Sequence, residues 1–293
     1  MGNKLDNVNN KYLLLDESTG EMFPVTNKEV IEILYRDELE EKQANKKDGY
    51  KKKMSKDEFK KYIDENLGSF YFNFYNLLLE KDLRPQDQFR FIYLCTYVNY
   101  KNILMKNNKT KLTRKDFDEI LGLSKMETCR TLGNLKEKGL IIENGGIFMV
   151  NEKICVRGNL TKKQKSEEFA RIFDEGIKEL YKQASPKEHK LLNVFIQLLP
   201  YVNYNFNIVC KNPKETNKDL VEPLGIKEMA EILGYSTPSR LKSDLLKIKV
   251  GGRSVIMITI VYKSTGIYIN PRIYYKGNKR QSLEALEIMF NEE

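Results

Sequence analysis

A large internal repeat decides what this chain can fold into. Tyr97-Val98-Asn99-Tyr100 returns as Tyr201-Val202-Asn203-Tyr204. Glu119-Ile120-Leu121-Gly122, followed by Ser124, returns as Glu231-Ile232-Leu233-Gly234, followed by Ser236. Gly146-Ile147-Phe148-Met149-Val150-Asn151, running on to Arg157-Gly158-Asn159, returns as Gly266-Ile267-Tyr268-Ile269-Asn270, running on to Lys276-Gly277-Asn278. Three blocks in one order and at this separation describe two copies of one domain, not a solenoid of short units. Any function of one copy is then available twice.

At 293 residues the chain has room for two or three domains with their own cores. The balance of 50 Lys+Arg against 41 Asp+Glu gives a net charge of +9, which favours a polyanionic partner, either nucleic acid or an anionic membrane surface. A Lys-rich composition produces the same balance without any such partner, so charge alone decides little. No apolar run reaches the ~18 residues of a membrane span. Residues 1–10 are polar and mixed in charge, unlike a signal peptide. Cys95, Cys129, Cys155 and Cys210 are scattered singly and have no counterparts between copies, so they read as reduced thiols of a cytoplasmic protein.

The punctuation along the chain gives each copy a grammar. Residues 12–15 and 21–25 flank a turn at 16–20 and predict an opening hairpin. A charge-dense helical stretch follows over 28–61, interrupted by Lys46-Lys47-Asp48-Gly49 and the basic run Lys51-Lys52-Lys53, which reads as a solvated linker, with a phosphate-contacting arm as the alternative. In the first copy, 70–79 reads as a buried helix. A second helix starts near Pro85 with Phe89, Ile92, Tyr93 and Thr96 on its apolar face. Thr113 with Asp116 opens a short helix that stops at Gly122, Ser124 caps a longer helix over 125–138, and Gly139 stops it. A strand at 140–142, the turn Asn144-Gly145-Gly146 and a strand at 147–150 form a hairpin. Copy two repeats the order with a helix at 189–201, a short helix at 227–233, a longer one from Pro238 to about residue 246, and a larger hairpin region over 248–270. A trailing helix follows each hairpin: one includes 168–175, the other ends the chain.

Helix, short helix, glycine turn, longer helix and hairpin spell a winged helix-turn-helix. The expected fold is therefore mainly α with small β wings, an α+β chain of two tandem winged helix-turn-helix domains joined by a helix. The expected boundaries are 1–66 for an N-terminal hairpin and charged arm, 67–160 for the first winged domain and 161–185 for a linker helix. The second winged domain takes 186–278 and a C-terminal helix 279–293.

In this motif the second helix of the pair lies in the major groove and its outer face near the N-terminus reaches base edges. Copy one offers Ser124, Lys125, Glu127, Thr128 and Arg130, with Leu132 and Leu135 turned inward. Copy two offers Ser236, Thr237, Ser239, Arg240, Lys242 and Ser243, with Leu241 and Leu245 inward. Arg130 and Arg240 suit guanine, whose O6 and N7 a guanidinium can bond together. Hydroxyls and free N–H groups at the helix starts suit phosphate. Lys249 and Arg253 flank Gly251-Gly252 and make the second wing basic, so the second domain is expected to grip the backbone harder. Arg157-Gly158-Asn159 and Lys276-Gly277-Asn278 read as glycine turns opening solvated basic stretches, ahead of DNA contact, and the Tyr-Val-Asn-Tyr blocks as core packing at a polar helix end, ahead of a base-stacking platform.

Enzymatic readings find little support. His189, the single histidine, sits early in a helix where an exposed or capping role is ordinary, which excludes a nickase using two closely spaced metal-binding histidines. There is no Gly-x-x-x-x-Gly-Lys-Ser/Thr loop and no zinc-type cysteine spacing, so no metal or cofactor is implied.

Leu15-Asp16-Glu17-Ser18-Thr19-Gly20-Glu21, the helix at 89–99, Leu112-Thr113-Arg114, Gly122-Leu123-Ser124, Leu132 to Leu135 and Met149-Val150-Asn151 with Arg157-Gly158 form an ordered set. Together they resemble the RepL family of replication initiators from plasmids of Gram-positive bacteria. The resemblance covers roughly the first 160 residues, and its wing-to-Arg-Gly portion recurs in Ile269-Asn270-Pro271 with Lys276-Gly277. It implies a winged-helix protein that binds an origin on a plasmid or prophage and recruits host replication proteins. This chain departs from the family in being about twice as long, and its tandem arrangement is more like initiators with two winged helices that bind repeated origin sites. One chain then already carries two readers, which leaves monomer and homodimer both open.

The leading expectation is a cytoplasmic protein, not an enzyme, that binds double-stranded DNA sequence-specifically and initiates replication. Its two recognition helices would read an asymmetric site with half-sites about one helical turn apart. A transcriptional regulator bound to an operator is the alternative, since the motif does not distinguish origin from operator. Winged helices used as protein-interaction modules form a third reading.

Overall fold

The computed structural model describes residues 5–8, 11–15, 22–25, 56–107, 109–261 and 264–291. Strands β1 (Leu5–Val8), β2 (Lys11–Leu15) and β3 (Met22–Val25) form an antiparallel meander. The expected hairpin is β2 against β3, with Tyr12 opposite Val25 and Leu15 opposite Met22. Its turn, and the charged stretch up to residue 55 with Lys51-Lys52-Lys53, lie outside the described residues. Helix α1 (Lys56–Asn66) follows.

The frame of the molecule is a four-stranded antiparallel sheet built jointly by the two copies. Strand β4 (Phe70–Asn73) opens copy one and β7 (Cys155–Val156) closes it; β8 (Ala170–Phe173) opens copy two and β13 (Tyr274–Tyr275) closes it. The order is β13-β8-β4-β7, so the two opening strands pair at the centre, Phe70 opposite Phe173 and Tyr71 opposite Ile172. This arrangement corrects two expectations. The predicted helix over 70–79 is β4 followed by the short α2 (Tyr75–Leu79), and the predicted linker helix within 161–185 is β8 followed by α6 (Asp174–Gln183). Strands covered on both faces carry apolar side chains without alternation, and over four residues such a run cannot be told from a buried helix.

Copy one continues through α3 (Pro85–Cys95), α4 (Asp116–Leu121), α5 (Lys125–Glu137) and the hairpin β5 (Ile141–Asn144) and β6 (Ile147–Val150). Copy two runs from β8 and α6 through α7 (His189–Leu192) and α8 (Val194–Leu198). It then adds α9 (Ile226–Ile232), α10 (Pro238–Leu246) and the hairpin β11 (Ile256–Val261) and β12 (Ser264–Ile269). The helix predicted over 189–201 is thus two short helices and a 3-10 turn, Leu199–Tyr201, which contains Pro200. A C-terminal helix, α11 (Arg280–Asn291), ends the described chain.

Alternation along the sheet divides the core. Tyr71, Ala170, Ile172 and Tyr274 face one side and join a continuous core with Phe89 and Tyr93 of α3, Ile177 and Tyr181 of α6, and Phe195 of α8. Tyr93 and Tyr181 stack with ring centroids 3.7 Å apart and planes within 2°, so the copies share one interior. Phe173 and Tyr275 face the other side, where they meet Phe59 and Ile63 of α1 and Leu283, Leu286, Met289 and Phe290 of α11. The helical bodies of both copies therefore lie on one face of the sheet, and the two terminal helices cover the other. No described helix is long and apolar enough to cross a membrane.

One device repeats at the hairpins of both copies. Asn102 and Asn207 take left-handed backbone conformations, φ +56° and +50°, which asparagine tolerates better than most residues. Asn102 Nδ2 donates to the carbonyls of Val150 and Cys155; Asn207 Nδ2 donates to those of Ile269 and Tyr274. Each asparagine thereby ties its hairpin's returning strand to the closing strand of its copy.

Candidate nucleic-acid interface

Two helix pairs carry the residues singled out above. In copy one, the Thr113 N–H and hydroxyl both donate to the Asp116 carboxylate at 2.8 and 2.6 Å, fixing the entry to α4. Gly122 ends α4 at φ +58°, a conformation that costs glycine no Cβ clash, and the Leu123 N–H closes the turn onto the Asp118 carbonyl. The Ser124 hydroxyl then accepts from the Glu127 N–H and caps α5. In copy two the Gly225 N–H donates to the Glu228 carboxylate at 3.0 Å, Gly234 takes φ +69°, and the Tyr235 N–H donates to the Ala230 carbonyl. Thr237 caps α10 by accepting from the Arg240 N–H, with Pro238 in the first turn where no N–H is missed.

The two caps set a register that differs by one residue from the repeat read along the sequence. Aligning Ser124 with Thr237 puts Thr128 on Leu241 and Leu132 on Leu245, and all four are buried. The turn of copy two is one residue longer, so Glu127 corresponds to Arg240 and Arg130 to Ser243. Thr128, expected on the outer face, is 0% exposed and is corrected to an inward position. It lies one turn before Leu132, on the stripe that packs against α3. Ser124, Lys125 and Arg130 are exposed on α5, as are Ser236, Thr237, Ser239, Arg240, Lys242 and Ser243 on and before α10. Leu132, Leu135, Leu241 and Leu245 point inward as expected.

What holds α5 in place was not foreseen. Arg90, 2% exposed on α3, donates through Nη1 to Glu127 at 2.7 Å, to the Thr131 hydroxyl at 2.9 Å and to Asp87 at 3.2 Å. Asp87 also receives Arg84 at 2.7 Å, and the Thr131 hydroxyl and Asn134 amide at 2.9 Å each. Burial pushes the Asp87 carboxyl up, but these donors outweigh it and leave the group below its ordinary range. Arg90 Nε donates in turn to His189 Nδ1 at 3.3 Å. His189 is therefore neither exposed nor a cap: it is buried in copy two against the Tyr181 ring. Burial, reinforced by the Arg90 charge, lowers it to about 4, so it is a neutral acceptor at neutral pH. Nothing in composition marks this network, because Arg84, Asp87 and Arg90 at i, i+3 spacing look like a solvated helix face.

The hairpins differ as well. In copy one Gly145 and Gly146 take φ +56° and +76°, a two-residue turn of the type that suits tight hairpins. In copy two Lys249 and Arg253 do not lie on the equivalent hairpin. They belong to an inserted ribbon, β9 (Lys249–Val250) and β10 (Arg253–Ser254), placed before β11. Gly251 N–H donates to Glu179 of α6 at 2.7 Å and Arg253 bonds Asn291 of α11, so the ribbon packs back on the body. Its Gly-Gly turn mimics a wing tip in sequence. Lys249 remains exposed, while Arg253 is partly covered.

Arg157 and Lys276 correct a further expectation, since neither opens a solvated face. Arg157 Nη2 bonds both oxygens of Asp174, at 2.8 and 2.7 Å, reaching from copy one to the start of α6. Burial nevertheless outweighs this partner and raises Asp174 to about 6. Lys276, 6% exposed, reaches from copy two to the Tyr75 hydroxyl of α2 at 2.7 Å and to the Leu199 carbonyl at 3.0 Å, with its ammonium over the Tyr75 and Tyr204 rings. Glycine follows each cation because a Cβ at Gly158 would lie 2.9 Å from the Tyr100 ring and one at Gly277 2.5 Å from the Tyr204 carbonyl oxygen. The Tyr-Val-Asn-Tyr blocks end their helices in matching turns, in which the Asn99 side chain accepts the N–H groups of Lys101 and Ile103, and Asn203 those of Asn205 and Phe206.

Comparison with known proteins found no matching family model, no matching curated protein and no matching solved structure.

Proposed function

We propose that each copy is a winged helix-turn-helix and that the chain binds double-stranded DNA through the outer faces of α5 and α10. The observation that carries this reading is the duplicated glycine-turned helix pair. In both copies a left-handed glycine sets the second helix, a hydroxyl caps it, leucines anchor its inner face, and its outer face is left exposed with cations. Free N–H groups and hydroxyls at those helix starts fit phosphate, and Lys125, Arg130, Arg240 and Lys242 supply charge and base-edge donors. Binding is the whole task in this reading, and no catalytic step is needed. The resemblance of the first 160 residues to the RepL initiators supports the finer reading, an initiator that binds an origin on a plasmid or prophage and recruits host replication proteins.

Gel-shift titration on selected duplex DNA tests the reading. Affinity should fall steeply as salt rises, and Arg240→Glu should weaken specific binding by about a hundredfold or more while leaving thermal unfolding unchanged. Unaltered affinity of Arg240→Glu would remove α10 from the interface. Autonomous replication of a plasmid carrying the coding region with its flanking DNA separates an origin from an operator.

A further inference from the structure

We propose that this chain reads an imperfect inverted repeat, two unequal half-sites of opposite polarity, one for each recognition helix. The inference rests on the DNA-binding reading above and adds the symmetry of the target to it. Its basis is the sheet. The strands that open the two copies, β4 and β8, are equivalent in the repeat, and they pair with each other antiparallel at the centre. The closing strands β7 and β13 flank them, so the order is the same read from either edge. Two equivalent strands paired antiparallel are exchanged by a twofold axis normal to the sheet, here through the Phe72–Arg171 pair, which carries the Phe72–Val156 pairing onto Arg171–Tyr275. Such an axis keeps both copies on one face of the sheet, which is where the shared core places both helical bodies.

Contacts away from the sheet obey the same axis. Each copy's post-hairpin cation crosses to the first helix of the other copy, Arg157 to Asp174 and Lys276 to Tyr75. Within each copy, Asn102 and Asn207 make matching bonds from the helical body to the hairpin and closing strand. The symmetry thus runs from the sheet outward, and α5 and α10 are related by it. Readers related by a twofold meet equivalent groove geometry on a duplex only when their half-sites run in opposite directions, because the strands of DNA are themselves exchanged by twofolds. The half-sites are unequal because the readers are. The third helical position is Glu127 in α5, bound by Arg84 and Arg90, and Arg240 in α10; the sixth is Arg130 in α5 and Ser243 in α10. The guanidinium therefore enters the two half-sites at different places.

Repeated selection of the full chain on a random duplex pool provides the test. Enriched sequences should contain two non-identical half-sites in inverted orientation. A synthetic duplex with one half-site reversed, at unchanged spacing, should bind about tenfold or more weakly. Arg130→Ala should relax base preference in one half-site alone and Arg240→Ala in the other. Half-sites enriched in direct orientation, equal affinity for the reversed duplex, or both substitutions relaxing the same half-site would each overturn the proposal while leaving DNA binding intact. Absence of any enriched duplex together with salt-independent retention on DNA would instead overturn the DNA-binding reading from which it starts.

Discussion

At the scale of single residues, polarity is a poor guide to direction on these helices. Thr128 looks like a base-reading residue because it is polar and close to an N-cap. Its place is instead that of Leu241 in the other copy, fully buried, with an Oγ1 that has no hydrogen-bond partner. An unsatisfied buried hydroxyl costs about 1–3 kcal/mol, so replacing it with a methyl of nearly the same shape removes a cost and adds none. Thr128→Val should therefore stabilise the protein by about 1 kcal/mol in urea denaturation and leave affinity for selected duplex DNA unchanged. Loss of affinity would return Thr128 to the interface. The inward leucines and the Ser124 cap were legible in the sequence because each follows from spacing and one side-chain type; the Thr237 cap was not, because the repeat places Ser236 opposite Ser124. The inward turn of Thr128 was not, because it depends on a one-residue difference in turn length that the matched block ending in Gly-x-Ser in both copies conceals.

Between elements, the same lesson concerns buried charge. The order of helices, turns and hairpins could be read from glycines, caps and apolar periodicity, since those signals are local. Strands β4 and β8 could not, because their pairing partners lie about a hundred residues away and both of their faces are covered. Nor could the fixing of α5, which depends on Arg90 joining α3, α5 and α7 in one network. Removing one partner from a buried charge cluster leaves the others unpaired, at about 3–5 kcal/mol. Arg90→Met should destabilise by that order, and the triple change with Asp87→Asn and Glu127→Gln should recover part of the loss. His189, the chain's single histidine, gives a clean reporter of the same junction. Its imidazole is held at about 4 when folded, below the ordinary value near 6.5. The unfolded chain therefore binds a proton that the folded chain refuses between those values, and this contribution to stability, complete above pH 6.5, is lost as pH falls toward 4. Asp174, raised to about 6, acts in the opposite sense below that pH, so His189→Gln is needed to isolate the histidine's share. Proton NMR should find the native imidazole titrating near pH 4, and a native value near 6.5 would contradict the burial described.

For the molecule as a whole, the joint between the copies matters most, because any twofold relation of α5 to α10 is only as fixed as that joint. The shared sheet, the Tyr93–Tyr181 stack and the two crossing cations all serve it. Lys276 is the most sensitive member. Burial lowers its ammonium to about 7, although the Tyr75 and Tyr204 rings and the Leu199 carbonyl favour the charge. An unfolded lysine holds its proton up to about 10.4. Between those values the unfolded chain binds more protons than the folded one, so stability from this group rises with pH above 7 and levels off near the unfolded value. From pH 7 to pH 9.5 the gain should be on the order of 2 kcal/mol, allowing for the opposing rings. Lys276→Met keeps the aliphatic stem and the burial but removes the titration. The variant's stability, measured by urea denaturation, should therefore lack this rise while Arg157→Met retains it. If Lys276→Met also kept the rise, the alkaline gain would belong to another group.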